Sequence, residues 1–212
     1  LFFPIIQKDQ DFRLLLENAL PVSKILEDTY HLEGRQVLLF VGRLIDIKNL
    51  FFLLDALALV VNRYPKVILL FVGDGDQRVA LERHAERNGL ADHVIFAGKK
   101  QGKDLYACYN VGQIFVLPSY YERFGAVVNE ALLAGCYTLC SSAAGAACLV
   151  NPLENGAIFD SHSKDGLVEQ LTVALDMTPV LSELRLKENK MLNSYDTYFA
   201  NFMNRLDDLL NK

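Results

Sequence analysis

Two kinds of segment alternate along most of the chain. Short runs that are apolar throughout are followed by longer segments whose apolar positions recur at helical spacing. The apolar runs predict strands at residues 36–43, 66–73, 93–98, 113–119, 136–141 and 156–160. The helical spacing predicts helices at residues 49–64, 76–89, 103–110, 125–135, 163–176 and 180–210.

Strands that are apolar on both faces indicate a parallel sheet covered by helices on each side. The alternation predicts an α/β fold class: a Rossmann-like, doubly wound parallel sheet of about six strands, with C-terminal helices. A ligand is expected at the carboxyl ends of the strands. Upstream of the first strand, residues 11–32 are predicted to be helical in pieces, with a break at Pro21.

Five glycines fall at the predicted strand ends or in the turns just after them. A glycine there either allows a sharp turn or lets the backbone approach a ligand closely, and both interpretations stay open. The five are Gly42, Gly73, Gly75, Gly98 and Gly125.

Charge and hydropathy limit the kinds of molecule that the chain can bind. The chain has 21 lysines and arginines against 26 aspartates and glutamates, which gives a net charge of -5. This balance argues against nucleic acid as a partner, because a phosphate backbone requires a basic face. A small phosphorylated ligand needs only one or two local cations. The longest apolar run, residues 50–61, contains Asp55 and is too short to span a bilayer.

The four cysteines predict no metal or redox site. Cys108, Cys136, Cys140 and Cys148 form no C-x-x-C pair, and no histidine stands beside them at zinc-ligand spacing. We expect four small buried side chains in a protein of a reducing compartment.

Two common nucleotide motifs are incomplete or absent. In "FVGDGDQR" (71–78), Gly73 and Gly75 follow a predicted strand, but the third glycine of the dinucleotide fingerprint is replaced by Arg78. This replacement disfavours a dehydrogenase. No G-x-x-x-x-G-K-[ST] sequence occurs, so a P-loop is excluded.

Three other segments follow strand ends in a fixed order. They are "VGRLIDIKN" (41–49), "FVGDGD" (71–76) and "LPSYYERFGAVVNEALLAG" (117–135). Together they resemble the C-terminal, donor-binding domain of a GT-B retaining glycosyltransferase of family 4, the glycosyl transferases group 1. The resemblance covers residues 36 to about 160. It is carried by Gly42, Arg43, Leu44, Lys48, Asn49, Gly73, Gly75, Pro118, Ser119, Glu122, Phe124, Gly125, Glu130, Ala131 and Gly135.

The resemblance implies a nucleotide-diphosphate sugar as donor. Arg43 and Lys48 resemble the family's diphosphate-binding pair, and a planar guanidinium beside an ammonium suits phosphate oxygens. Gly125 and Ala126, at the predicted start of a helix, are expected to offer backbone N–H groups to the diphosphate. Without the resemblance, an arginine and a lysine after a strand more often belong to a solvated loop.

Two glutamates complete the implied site. Glu122 resembles the residue that contacts the transferred sugar and is our candidate catalytic residue, with Phe124 beside it. Glu130 resembles the glutamate that accepts hydrogen bonds from the ribose hydroxyls. A solvated helix flank is the alternative, but the neighbours of Glu130 are nearly all apolar.

The remaining site residues follow the family less closely. Phe96, Ala97 and Gly98, at the end of the third predicted strand, match the positions that recognise the nucleotide base. Cys148 stands where many family members have a glutamate, so we assign it no contact. We expect no cofactor and no metal, because no D-x-D pair lies at a predicted strand end.

The resemblance also divides the chain and implies a missing partner. Residues 1–35 resemble an interdomain connection, 36–178 the nucleotide-sugar-binding domain, and 179–212 a helix that packs on it and toward an N-terminal acceptor domain absent from these residues. We expect a cytoplasmic glycosyltransferase fragment, inactive by itself, that binds no nucleic acid. Peripheral association with the inner face of the membrane, through the missing domain, stays open. A nucleotide-sugar-binding module without transferase activity and a GT-B nucleotide-sugar epimerase are the alternatives.

Overall fold

The structure is a computed structural model and describes residues 9–152 and 154–192. Within them the chain forms one sheet of six parallel strands in the order 3-2-1-4-5-6. The strands are β1 (Gln36–Val41), β2 (Val67–Val72), β3 (Val94–Gly98), β4 (Ile114–Leu117), β5 (Tyr137–Ser141) and β6 (Gly156–Phe159). The predicted α/β fold class and all six predicted strands are confirmed.

Six α-helices accompany the described sheet. They are α1 (Asp9–Tyr30), α2 (Leu50–Val60), α3 (Arg78–Arg87), α4 (Lys103–Val111), α5 (Ala126–Leu133) and α6 (Lys164–Met177). Helix α2 packs against α3 and α6, whereas α1 packs along α4 and touches α5. Two short 3-10 turns, Asp46–Lys48 and Gly145–Leu149, lie in the loops after β1 and β5.

The burial of the strands follows their position in the sheet. Every residue of β1, β2, β4 and β5 is buried, as expected for inner strands covered on both faces, whereas β3 at the edge is half-buried. Strand order reverses between β1 and β4, which are neighbours in the sheet. In open α/β sheets this switch point creates a crevice at the carboxyl ends of the strands.

The predicted break at Pro21 is wrong. Helix α1 runs through Pro21 without interruption, although a proline inside a helix costs about 3 kcal/mol. Its buried face, which includes Phe12 and Leu16, packs on α4. The Asn110 side chain donates to the carbonyl of Leu16 at 2.9 Å and to the hydroxyl of Ser23 at 3.0 Å. These tertiary contacts outweigh the local preference of the proline.

The helix predicted at 180–210 is wrong over residues 180–192, which form an irregular segment. We call residues 178–192 the C-terminal strap. Its Leu181 exchanges backbone hydrogen bonds with Gly34 and Arg35, and Lys190 N–H donates to the carbonyl of Leu132. These bonds to distant residues hold the strap away from helical geometry. The apolar residues predicted to continue that helix lie outside the described residues: Tyr195, Tyr198, Phe199, Phe202, Met203 and Leu206.

The cysteines differ in exposure. Cys108, Cys136 and Cys140 are buried, as predicted, but Cys148 is exposed in the 3-10 turn after β5, so that expectation is wrong. Burial raises the pKa of the Cys108 thiol and that of the Cys140 thiol to about 12. No helix in residues 9–152 and 154–192 is long and apolar enough to cross a membrane.

Candidate functional site

The loops after β1 and β4 meet at the switch point of the sheet. The N–H of Tyr120, in the loop after β4, donates to the carbonyl of Ile47, in the loop after β1, at 3.0 Å. This bond connects the segment that carries Arg43 and Lys48 to the segment that carries Glu122. The candidate residues from two distant parts of the sequence therefore share one edge of the sheet.

The loop after β2 supports the loop after β1 through close backbone packing. The N–H of Leu44 donates to the carbonyl of Asp74 at 2.9 Å. A Cβ atom at Gly73 would overlap the carbonyl oxygen of Gly42, and one at Gly75 would overlap that of Leu44. For Gly73 and Gly75 the structure therefore favours the packing interpretation over contact with a ligand.

Lys48 and Glu122 form an ion pair between Nζ and Oε2 across the two loops. Their side chains are 15% and 20% exposed, so the pair is accessible to a ligand but shielded from most of the solvent. Arg43 is exposed and, among the described residues, has no side-chain hydrogen bond or ion pair. One predicted phosphate cation is thus free and the other is neutralised by the predicted catalytic carboxylate.

The loop after β5 holds the backbone of Glu122. The N–H of Glu122 donates to the carbonyl of Ala143 at 3.3 Å, and the N–H of Gly145 donates to the carbonyl of Glu122 at 3.0 Å. A Cβ atom at Gly145 would overlap the carbonyl oxygen of Arg123. Glycine at this position therefore lets the two loops lie against each other and fixes the path of the chain through Glu122.

Helix α5 begins beside this ion pair. Gly125 precedes the helix with φ +92°, a left-handed conformation that favours glycine, and its added Cβ would lie 3.1 Å from Cγ of Glu122. No side chain caps the helix start, and Ala126 is exposed. The start of α5, with its free N–H groups and the positive end of the helix dipole, therefore lies at the edge of the sheet where Lys48 and Glu122 lie.

Glu130 lies further along α5 and contacts α4. The hydroxyl of Tyr109 donates to Oε2 of Glu130 at 2.6 Å. Burial raises the pKa of Glu130, and the hydrogen bond from Tyr109 acts in the opposite direction. The carboxylate is half-buried, and one of its two oxygens is committed to this internal hydrogen bond. A solvated helix flank does not describe this position.

The family described as "Glycosyl transferases group 1" matches residues 23–191 of the chain. This range includes every candidate residue described above. The chain belongs to the glycosyl transferases group 1 family. Its sheet and flanking helices are those of the C-terminal half of a GT-B fold.

Individual relatives agree with this assignment. An uncharacterized glycosyltransferase of Methanocaldococcus jannaschii is 33% identical over 170 residues, which are 78% of this chain and 42% of that protein. The separate C-terminal domain of a group 1 glycosyltransferase (LpcC) from Francisella tularensis superposes with a TM-score of 0.66 at 20% identity, over 82% of this chain and 90% of that one.

A further solved structure has a similar fold. Anabaena HepE in complex with UDP superposes with a TM-score of 0.72 at 22% identity, over 89% of this chain and 52% of that one. The chain spans less than half the length of the curated relatives it matches.

In this group 1 domain, the base-binding candidates lie on the other side of β2. Phe96 stacks on Phe71 with the ring centroids 5.0 Å apart, and the carbonyl of Gly98 accepts from the N–H of Gly73 at 2.9 Å. Gly98 ends β3 with φ +71°. Arg78, at the start of α3, reaches this strand end, where an added Cβ at Gly98 would lie 3.7 Å from its guanidinium. Ala97 is half-buried between the two other candidates.

The structure therefore brings Lys48, Glu122 and Gly125 into direct proximity and sets Glu130 apart, against α4. Phe124 is half-buried, and its carbonyl accepts from the N–H of Ala146 at 2.6 Å. The sequence analysis did not identify Tyr109, because it lies in the predicted helix 103–110, outside the three motif segments. In residues 9–152 and 154–192 no group of three or more histidine, cysteine, aspartate or glutamate residues is placed to hold a metal ion.

Proposed function

We propose that this chain is the donor-binding half of an enzyme that transfers a sugar, with retention, from a nucleotide-diphosphate sugar to a glycan or lipid-linked saccharide. One observation carries the proposal. Lys48 and the uncapped start of α5 lie at Glu122, at the switch point of the sheet, and the exposed Arg43 lies in the same loop as Lys48. Family membership and the UDP complex of the similarly folded Anabaena HepE support it.

The cations and the helix start would bind the donor diphosphate. A nucleoside diphosphate gains negative charge as the bond to its sugar breaks, and preorganised positive groups stabilise that transition state. Arg43 is exposed and free to form a bidentate contact with phosphate oxygens. Lys48 would exchange its internal partner Glu122 for phosphate, and the N–H groups near Gly125 and Ala126 would bind further oxygens.

The two glutamates would bind the two sugars of the donor, which are the transferred sugar and the ribose. Glu122, released from Lys48, would contact the transferred sugar beside Phe124 and act as the catalytic carboxylate. Glu130 has one oxygen engaged by Tyr109, which leaves its other oxygen to accept from a ribose hydroxyl. The strand end at Phe96, Ala97 and Gly98 would lie along the base.

The acceptor would bind to a second domain that faces this edge. Arg43 lies exposed on the strand-end surface, as expected for a wall of a cleft whose other wall is supplied elsewhere. We propose that the complete enzyme is cytoplasmic, that it works without a metal ion, and that any contact with the inner face of the membrane is made by the acceptor domain.

Titration calorimetry on the chain tests the diphosphate assignment. Arg43→Ala and Lys48→Ala should each weaken binding of UDP or GDP by roughly 1.5–3 kcal/mol and leave binding of uridine or guanosine nearly unchanged. Lys66→Ala is the matched control, because Lys66 is an exposed lysine that precedes β2 at the opposite edge of the sheet. Equal losses for the diphosphate and the nucleoside would contradict the assignment.

The same titration tests the contact between Glu122 and the transferred sugar. Glu122→Gln should reduce the extra affinity that the sugar of a nucleotide sugar adds to its nucleoside diphosphate. If Glu122→Gln leaves both affinities unchanged, the carboxylate has no role at the sugar, and its assignment as the catalytic residue is contradicted.

A further inference from the structure

We propose that Tyr109 is a positioning residue, which holds Glu130 in the orientation that binds the donor ribose. The inference rests on the proposed function, since it concerns the ribose contact assigned to Glu130. It adds a residue that does not touch the donor and that lies outside the three segments from which the site was predicted.

The phenol of Tyr109 is in a fixed place. The residue is 0% exposed, and its ring packs against Phe12 of α1 and Phe115 of β4, with both centroid distances at 6.5 Å. The ring is therefore held by a helix on one side and by the sheet on the other. Its hydroxyl donates to Oε2 of Glu130 at 2.6 Å, a short hydrogen bond to a charged group.

The backbone of Tyr109 is fixed as well. Lys187 of the C-terminal strap donates from Nζ to the carbonyl of Tyr109 at 2.9 Å, and also to the carbonyls of Asn110 at 2.7 Å and Gly112 at 2.8 Å. One ammonium thus caps the end of α4, where backbone carbonyls lack helical partners. Both the backbone and the side chain of Tyr109 are immobilised before any ligand arrives.

This arrangement determines what Glu130 can do. The hydrogen bond commits Oε2 and leaves Oε1 as the oxygen for a ligand hydroxyl. Among the described residues, Glu130 forms no ion pair with a lysine, arginine or histidine, and its side chain has no other hydrogen bond. Tyr109 is therefore the group that sets the direction of the carboxylate. A carboxylate that is already oriented loses less conformational freedom when the ribose binds.

The experiment compares three single variants of the chain by titration calorimetry with UDP, GDP and their 2′-deoxy counterparts. Tyr109→Phe removes only the hydroxyl. We expect it to weaken ribonucleotide binding by about tenfold and 2′-deoxynucleotide binding much less, because the lost contact is to the ribose hydroxyl. The ratio of ribonucleotide affinity to 2′-deoxynucleotide affinity should therefore fall. General loosening of the fold would instead lower both affinities alike.

Tyr106→Phe is the matched control. Tyr106 lies one turn earlier on α4, and the charge of Glu130 contributes to raising its pKa, but its hydroxyl forms no hydrogen bond with Glu130. It should keep the ribose preference of the unaltered chain. A thermal unfolding curve for each variant establishes that it is folded at the temperature of the titration.

Glu130→Gln separates the inference from the proposed function. If Glu130→Gln and Tyr109→Phe both lower the ribose preference, the inference is supported. If only Glu130→Gln lowers it, or if Tyr109→Phe weakens both nucleotide types equally, the positioning role is overturned and the ribose contact stands. If Glu130→Gln leaves the preference unchanged, or if the unaltered chain binds none of the nucleotides, the proposed ribose site is overturned and the inference with it.

Discussion

Lys48 and Glu122 are bound to each other across the switch point, although they belong to loops that follow different strands. The cation proposed for the diphosphate and the carboxylate proposed for the sugar therefore neutralise one another in the unliganded chain. A donor that engages both must separate them. Under the proposed function, binding of phosphate to Lys48 would therefore release Glu122 toward the sugar.

The first prediction concerns this competition. Glu122→Gln removes the partner of Lys48 and a negative charge close to the diphosphate. We expect UDP or GDP to bind several-fold more tightly, since a partly exposed ion pair is worth up to about 1 kcal/mol. The increment in affinity that the sugar adds should fall. Calorimetry with a nucleoside diphosphate and its nucleotide sugar measures both, with the exposed Glu86→Gln as control. Weaker binding of the nucleoside diphosphate by Glu122→Gln would contradict the competition.

The second prediction concerns pH. Burial raises the pKa of Glu130 above its ordinary value, so between the two values the folded chain binds more protons than the unfolded chain. Linkage then makes the free energy of unfolding fall as pH rises through that window. In Glu130→Gln this contribution should disappear.

Urea unfolding of the unaltered chain, Glu130→Gln and Glu86→Gln, at several values from about pH 4 to 7, tests the pH prediction. Relative to Glu130→Gln, the unaltered chain and Glu86→Gln should lose stability as pH rises through this range. A Glu130→Gln curve parallel to theirs over the whole range would show that Glu130 does not titrate as inferred.

The third prediction concerns the cap on α4. Lys187→Met keeps the apolar stem but removes the ammonium that binds the three carbonyls. We expect a loss of about 1–3 kcal/mol in the free energy of unfolding. Lys190→Met is the control, because the Lys190 ammonium lies 5.6 Å from the ring centroid of Tyr137, a contact worth about 0.5–1 kcal/mol. Equal destabilisation by the two variants would count against a special role for Lys187.

The fourth prediction is independence from metal ions. In the proposed site, Arg43, Lys48 and the start of α5 would supply the positive charge that the diphosphate needs. A longer protein that contains this chain should therefore transfer sugar in the presence of EDTA. A metal-dependent glycosyltransferase assayed in parallel confirms that chelation is complete. Loss of transfer that magnesium or manganese restores would overturn the prediction.

The fifth prediction separates binding from transfer. The chain alone should bind nucleotide sugar but transfer little, because we propose that the acceptor binds to a second domain. Holding the acceptor in attack geometry is worth on the order of 7–11 kcal/mol in the best cases. Labelled nucleotide sugars incubated with the chain, with a longer protein that contains it, and with a panel of saccharide and lipid-linked acceptors provide the test. Equal rates for the two proteins would refute the half-enzyme interpretation.

The strands, and the order of the candidate residues along the loop and helix after β4, could be predicted from the sequence because both depend on local patterns. Apolar runs specify inner strands, and the motif after β4 places Glu122, Gly125 and Glu130 in order along one loop and helix. The bond from Tyr109 to Glu130 and the pair of Lys48 and Glu122 could not be predicted, because each joins residues far apart in the sequence.

Tertiary contacts also explain the predictions that were wrong. The helical spacing at 180–192 was overridden by backbone bonds to distant segments, and Pro21 was tolerated because α4 holds α1 in place. We predicted that Cys148 is buried because free cysteines are usually buried. In each case a tertiary environment outweighed a local or statistical preference.

The C-terminal strap has a practical meaning for anyone who expresses this domain separately. A fragment cut at residue 178 would lose Lys187 and, with it, the ammonium that binds three carbonyls at the end of α4. A fragment begun at residue 36 would strip α1 from α4 and leave the aromatic ring of Tyr106, which now packs 5.5 Å from Phe12, without that partner. We expect such fragments to aggregate during purification, because apolar surface becomes exposed. Fragments that retain residues 9–192 keep both supports.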